Sequence, residues 1–209
     1  PVNKPCIRHA KKEQFFDTQG EKWTAIVEVI KKVHATGQPI LVGTSTVRAS
    51  EKLSQLLSEQ GLIFQLLNAV NDSHEASMVK DAGQTGKITV ATNMAGRGTD
   101  IKLGDDVAKK GGLFVIATEW HESGRVDRQL FGRSARQGDP GSAQLFGSTE
   151  DELLRKYLHP LIVSGLSRLL KKKVLGGRLL SLLMARLAQA VSQKQAFKAR
   201  KSILNNDRW

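Results

Sequence analysis

Cysteine, tyrosine and acid at the C-terminus are what this chain most lacks. The single cysteine, Cys6, excludes an internal disulfide and a cysteine-built metal site. It reads as an ordinary small apolar residue and fits a reducing compartment. A single tyrosine leaves few aromatic platforms for stacking bases, and ring stacking is what single-strand grooves use. No apolar run approaches the roughly 20 residues that cross a bilayer, and no signal peptide opens the sequence. The five histidines have no metal-ligand spacing. With 209 residues the chain suits one domain, or one with an appendage, and is long enough to bury a sizeable core. It opens on Pro1, not Met, and so is expected to be a piece of a longer protein.

Acid is missing from one end only. Residues 1–154 hold 19 Lys and Arg against 19 Asp and Glu. Residues 155–209 hold 13 basic residues against Asp207 alone. The net charge of +12 therefore belongs to the last quarter of the chain. A basic partner surface is a matter for that tail.

What is present is an alternation of short apolar runs and amphipathic stretches. Pro39–Gly43, Ile63–Leu67, Lys87–Ala91, Leu113–Ala117 and Ala143–Phe146 read as strands buried on both faces. Trp23, Ile26, Val27, Ile30 and Val33 form the stripe of a helix from Glu21, stopped by Gly37 and Pro39. Ser45 or Thr46 caps a helix ending at Gly61, and another runs over Ser73–Asp81. Ser123 caps the helix of Val126, Gln129, Leu130 and Arg133. Ser148 or Thr149 caps the one that opens "STEDELL". Residues 1–18 have no clear period and read as an extended lead-in. Strand–helix alternation predicts a parallel sheet with helices on both faces. From Tyr157 the pattern becomes leucine-rich and helical, is broken by Gly176-Gly177, and turns basic by Lys194–Lys201.

Chemistry concentrates in residues 92–141. Thr-Asn-Met-Ala-Gly-Arg-Gly-Thr-Asp-Ile follows the Lys87–Ala91 strand and so starts at its carboxyl end, the edge where open α/β sheets bind ligands. Gly96 and Gly98 let backbone approach a ligand, and Arg97 and Asp100 bring both signs of charge. Arg133 and Arg136 are three apart and on a helix would share a face with Gln129. Two guanidiniums beside Gly-Asp-Pro-Gly suit phosphate, which the planar fork holds bidentately. Glu119, His121 and Glu122 stand together, but one His between two Glu is not a specific ligand pattern.

The order and spacing of these two stretches are those of the fifth and sixth motifs of superfamily 2 motor ATPases. "TNMAGRGTDIKLG", "GLFVIATEWHES" and "GRSARQGDPG" resemble the second nucleotide-binding domain of SecA, the bacterial preprotein translocase motor family. "PVNKP", "ILVGT" and "LNAVNDSHEA" resemble it too, and the likeness runs from Pro1 to about Leu154. The resemblance implies a RecA-like motor domain over 1–154, with 155–209 as a basic helical extension whose last part, "AQAVSQKQAFKARKSILNNDRW", weakly resembles the start of the family's long scaffold helix. It implies that Arg133, Arg136 and Arg97 serve catalysis, reaching toward phosphates bound on the other half. Asp100, Gly96, Gly98, Thr99 and Gln137 would contact nucleotide. ATP would be the cofactor, with Mg²⁺ held mainly by an N-terminal motor domain. That domain carries the family's Gly-x-Gly-Lys-Thr loop and acidic motif, neither of which occurs here. The implied partners are that domain, unfolded preprotein, the Sec translocon and, through the basic tail, anionic lipid. The implied place is the cytoplasm, at the inner face of the bacterial membrane.

The sequence departs from the family in places. Trp120 and Phe131 replace usual basic residues, Ala135 stands where glycine is usual, and little family text spans 154–181. Three functions stay open: the C-terminal half of a protein-translocating ATPase, a nucleic-acid helicase half, and a non-catalytic docking module. Sparse aromatics argue against nucleic acid, and intact Asp100, Arg133 and Arg136 argue against decay to a docking module.

Overall fold

The computed structural model describes residues 5–67, 72–92, 99–172, 174 and 176–206, with backbone alone for 72–76 and 204–206. In chain order the elements are β1 (His9–Ala10), β2 (Gln14–Phe16), α1 (Gln19–His34), β3 (Ile40–Thr44), α2 (Val47–Glu59), β4 (Gln65–Leu67) and α3 (Asp72–Asp81). Then come β5 (Ile88–Thr92), β6 (Leu113–Ala117), α4 (Gly124–Phe131), β7 (Gly141–Ser148), α5 (Glu152–Tyr157), α6 (Pro160–Lys171) and α7 (Gly177–Asn206). All pairings are parallel, in the order β1-β7-β6-β3-β5-β4, with β2 also on β7. The predicted α/β fold with a parallel sheet is the one observed.

Alternation along each strand decides what each face packs. Ile40, Val42, Ile88, Val90, Phe114 and Ile116 point to one side and meet Trp23, Ile26, Ile30, Leu53 and Leu57 of α1 and α2. Leu41, Ala91, Leu113 and Val115 point to the other and meet Val79, Ile101, Leu130 and Phe131. Gly43 is required on that second face. A Cβ there would lie 2.4 Å from Leu130 Cδ2, so α4 rests directly on the backbone of β3.

Helix starts follow side-chain caps. Thr18 Oγ accepts from Glu21 N at 3.2 Å, which starts α1 two residues before the expected Glu21. Thr46 and Ser123 cap α2 and α4, as expected. At α5 the expectation of Ser148 or Thr149 is corrected, because Asp151 takes the cap position. Ser148 instead donates to the Asp151 carboxylate from its N–H at 2.8 Å and its Oγ at 2.7 Å, and Thr149 Oγ donates to the Asp17 carbonyl. The lead-in is extended and runs beside β7. Its two strands are two and three residues long, too short to show a period. Cys6 is exposed within it.

The helical extension lies against this body. Leu166, Ala185 and Ala188 are buried with Phe15, Ala117, Trp120, Leu145 and Leu154. Trp120 fits there because Gly147 has no side chain; a Cβ would lie 2.2 Å from the indole ring. The leucine repeat from Leu158 bridges two helices, since His159 caps α6 and Pro160 opens it. Leu161, Leu179, Leu183, Leu187, Phe197 and Ile203 stay exposed on the outer side. Among the described residues no helix is long and apolar enough to cross a membrane.

Candidate functional site

β5 ends at Thr92, and the chain is described again from Thr99. Ile101 is buried on the α3–α4 face, and Gly104 N donates to the carbonyl of Gly83, which precedes β5. The chain has folded back toward the amino-terminal edge of the sheet. Arg97, Gly96 and Gly98 lie outside the described residues. Thr99 and Asp100 are described, and both touch the arginine segment.

That segment is not helical, which corrects the expectation that Gln129, Arg133 and Arg136 share one helix face. α4 stops at Phe131, and Gly132 closes it with its N–H on the Arg128 carbonyl. Arg133 N and Ser134 N then bond the carbonyls of Leu130 and Phe131. Ser134 Oγ turns to the Leu113 carbonyl at 2.8 Å and the Ser142 carbonyl at 3.3 Å, pinning the segment to the first residues of β6 and β7. Ala135 (φ 58°), Gln137 (φ 51°) and Gly138 (φ 87°) are left-handed, so no helix can pass through them. The usual glycine at 135 is thereby explained. Alanine is strained there by about 1–2 kcal/mol, which burial of its methyl, about 0.8 kcal/mol, offsets in part.

The turn brings the two arginines to the loop. Arg136 Nη1 meets Asp100 Oδ1 at 2.5 Å, and its Nε donates to the Gly132 carbonyl at 2.9 Å. Arg133 Nη1 donates to the Thr99 carbonyl at 3.2 Å. Arg133 and Gln129 line one cavity over the sheet, with Leu41, Gly43, Ala91 and Thr92 on its floor. Gln137 is exposed beside them. Of the eight residues singled out in the sequence, the structure thus brings Thr99, Asp100, Arg133 and Arg136 into contact.

Glu119, His121 and Glu122 diverge. Glu122 pairs with Lys156 at 2.6 Å, which lowers its pKa and raises that of Lys156. His121 Nδ1 meets Asp127 at 2.5 Å. Glu119 accepts from Ser45 Oγ, across the crevice between β3 and β6. Burial first, then the nearby Asp151 charge, raises the Glu119 pKa above its ordinary 4.5, despite the Ser45 bond. The folded state therefore holds this proton more tightly than the unfolded chain. No penalty exists below the unfolded pKa, where both states are protonated; it is fully present above the folded one. Glu119→Gln is expected to raise stability at pH 7 and to leave it unchanged near pH 3, measured by urea unfolding at both. Equal effects at the two pH values would contradict it.

Two buried polar clusters had no signal in the sequence. Lys22 reaches Asp151 at 2.5 Å with both side chains almost wholly buried. Gln189 of α7 reaches Asp127 and His121. The partners are 129 and 62 to 68 residues apart, so no local pattern marks them.

A parallel sheet clothed on both faces, with an arginine turn before β7 against the segment that follows β5, is the arrangement of a RecA-like, helicase-type motor domain. Solved structures share the fold. A DEAD-box protein, SrmB of E. coli, bound to regulator of ribonuclease activity A, gives a TM-score of 0.57 at 22% identity, over 72% of this chain and 83% of that one. The second domain of the Mss116p DEAD-box helicase, bound to an RNA duplex, gives 0.53 at 17%, over 92% and 79%. The chain belongs to the SecA P-loop domain family, whose model matches residues 5–110 and 104–173. It is 49% identical over 169 residues to protein translocase subunit SecA of Oleidesulfovibrio alaskensis, covering 81% of this chain and 20% of that protein. It is 42% identical over 208 residues to protein translocase subunit SecA 2 of Chlorobium chlorochromatii, covering 99% and 31%. The chain thus spans between a fifth and a third of the length of these relatives.

Proposed function

We propose that this chain is the C-terminal half of an ATP-driven protein translocation motor and completes an ATP site shared with an N-terminal motor domain. The observation that carries the reading is the joining of Arg133 and Arg136 to Thr99 and Asp100 in one half-exposed cluster. The residues present fit the phosphate end of a nucleotide and nothing more. Two guanidiniums can hold phosphate oxygens, but no phosphate loop or metal-binding acid accompanies them. ATP, with Mg²⁺ held mainly by the other half, would supply the transferable phosphoryl group.

The side chains divide the work. Arg136 is 37% exposed and Asp100 47%. A pair so open to water is worth about 0–1 kcal/mol, so the guanidinium can exchange its carboxylate for phosphate at small cost. Asp100 keeps that guanidinium oriented until the halves close. Arg133 is anchored by the Thr99 carbonyl and lies deeper. Arg97, Gly96 and Gly98 directly precede Thr99 in the sequence, and the family resemblance gives them, with Gln137, a part in nucleotide contact. Alone, the chain orients charge and does not hydrolyse ATP.

In the complete motor the partners are unfolded preprotein and the Sec translocon, and the place is the cytoplasmic face of the bacterial membrane. The 13 cations of residues 155–209 give the tail a surface suited to anionic lipid. We assign 1–154 to the motor unit and 155–209 to the extension. Steady-state ATP hydrolysis by the complete motor, with unfolded polypeptide or single-stranded RNA added, tests the reading. Stimulation by polypeptide alone supports it. Stimulation by RNA, with salt-dependent binding, replaces it with the helicase reading.

A further inference from the structure

Asp127 sits in the first turn of α4 and is buried. Its Oδ1 accepts from His121 N at 3.3 Å and lies 2.5 Å from His121 Nδ1. Its Oδ2 accepts from Gln189 Nε2 at 2.6 Å. The same Nε2 donates to the His121 carbonyl at 2.7 Å. One neutral amide from α7 thus serves two acceptors that belong to the β6–α4 corner. The amide fits because an amide nitrogen has two hydrogens and no charge. Gly124, the first residue of α4, leaves it room, since a Cβ there would stand 3.0 Å from Gln189 Oε1.

The far end of α4 carries Leu130 on Gly43 and runs through Gly132 into Arg133. Eight helical residues span about 12 Å, and so short a helix moves as one piece. Its start is held by α7 and its end holds the arginine turn. We propose that Gln189 is a positioning residue for the arginine site: it ties the place of α7 to the aim of Arg133 and Arg136. The inference rests on the motor reading for its functional half; the mechanical half stands on the hydrogen bonds.

A second tie on the same helix provides the control. Arg186 pairs with Glu13 of the lead-in at 3.2 Å, a tie to an element other than α4. Releasing it loosens α7 without freeing Asp127.

The test compares Gln189→Ala, Gln189→Met and Arg186→Ala in the complete motor, this chain with its first motor half. Met keeps the side-chain volume without the donors, so packing survives where Ala disturbs it. Both Gln189 variants are expected to lower kcat about tenfold or more with KM for ATP within about threefold, a loss confined to the reacting state. Amide hydrogen exchange of residues 127–133 in the 209-residue chain is expected to quicken about tenfold in both. Arg186→Ala is expected to move neither reading. A kcat within twofold of the parent in Gln189→Met, or an equal loss in Arg186→Ala, overturns the proposal. If Arg133→Ala leaves turnover normal, the motor reading has failed instead, and the exchange data alone decide whether α7 holds α4.

Discussion

Arg133→Ala and Arg136→Ala, each made in the complete motor, are expected to lower ATP turnover by about 10³- to 10⁵-fold while ATP affinity stays within roughly tenfold. The asymmetry follows from where the side chains stand. Both are fixed by their own domain, Arg136 by Asp100 and the Gly132 carbonyl, Arg133 by the Thr99 carbonyl. Neither belongs to a complete nucleotide pocket, so neither supplies much ground-state binding. On the proposed reading, their charge matters when the halves close and phosphoryl transfer develops new negative charge. Lysine at either position is expected to rescue poorly, because a point charge cannot copy a fork held from two sides. Asp100→Ala should weaken nucleotide binding and turnover together, since Asp100 is itself assigned to contact nucleotide and also guides Arg136. Near-normal turnover in both arginine variants, measured beside nucleotide affinity, would remove the arginines from catalysis.

The largest expected effect on stability lies elsewhere. Asp151→Asn is expected to cost about 3–5 kcal/mol, because it leaves the Lys22 ammonium buried without a counter-charge. Lys22 is 2% exposed and Asp151 1%, at 2.5 Å. Against a typical total of about 5–15 kcal/mol, that is a large fraction. The pair joins the first turn of α1 to the cap of α5, and so the sheet's flank to the beginning of the extension. Adding Lys22→Met to Asp151→Asn is expected to recover most of the loss, since the apolar stem fills the space and neither charge of the pair remains. Urea unfolding of the single and double variants decides it. Simple additivity of the two losses would show that the ion pair is not what the burial implies.

These clusters show where the sequence ceased to be legible. The strands were readable because β3, β5 and β6 are buried on both faces and run as unbroken apolar segments. Thr46 and Ser123 were readable as caps because a hydroxyl directly precedes an amphipathic stretch. At 148–151, Ser, Thr, Glu and Asp stand in a row, and local chemistry cannot choose among them. Lys22, from 129 residues away, selects Asp151. The spacing of Arg133 and Arg136 fits a helix, yet Gly132 and Ser134 end it, and Ser134 finds strand carbonyls that only the folded sheet provides. Burial of Ile101 holds the chain that follows Thr99 over the sheet, a placement that no local pattern marks. Asp100 and the two arginines were legible as residues, through their motif; which arginine Asp100 meets was not.

The most direct measurement of the central claim is ATP turnover on mixing this chain with a separately prepared first motor half. The expected result is negligible turnover by either part alone, turnover in the mixture, and its loss when the chain carries Arg133→Ala. Substantial hydrolysis by the 209-residue chain alone, or undiminished turnover with the Arg133→Ala chain, would contradict a site shared between two halves.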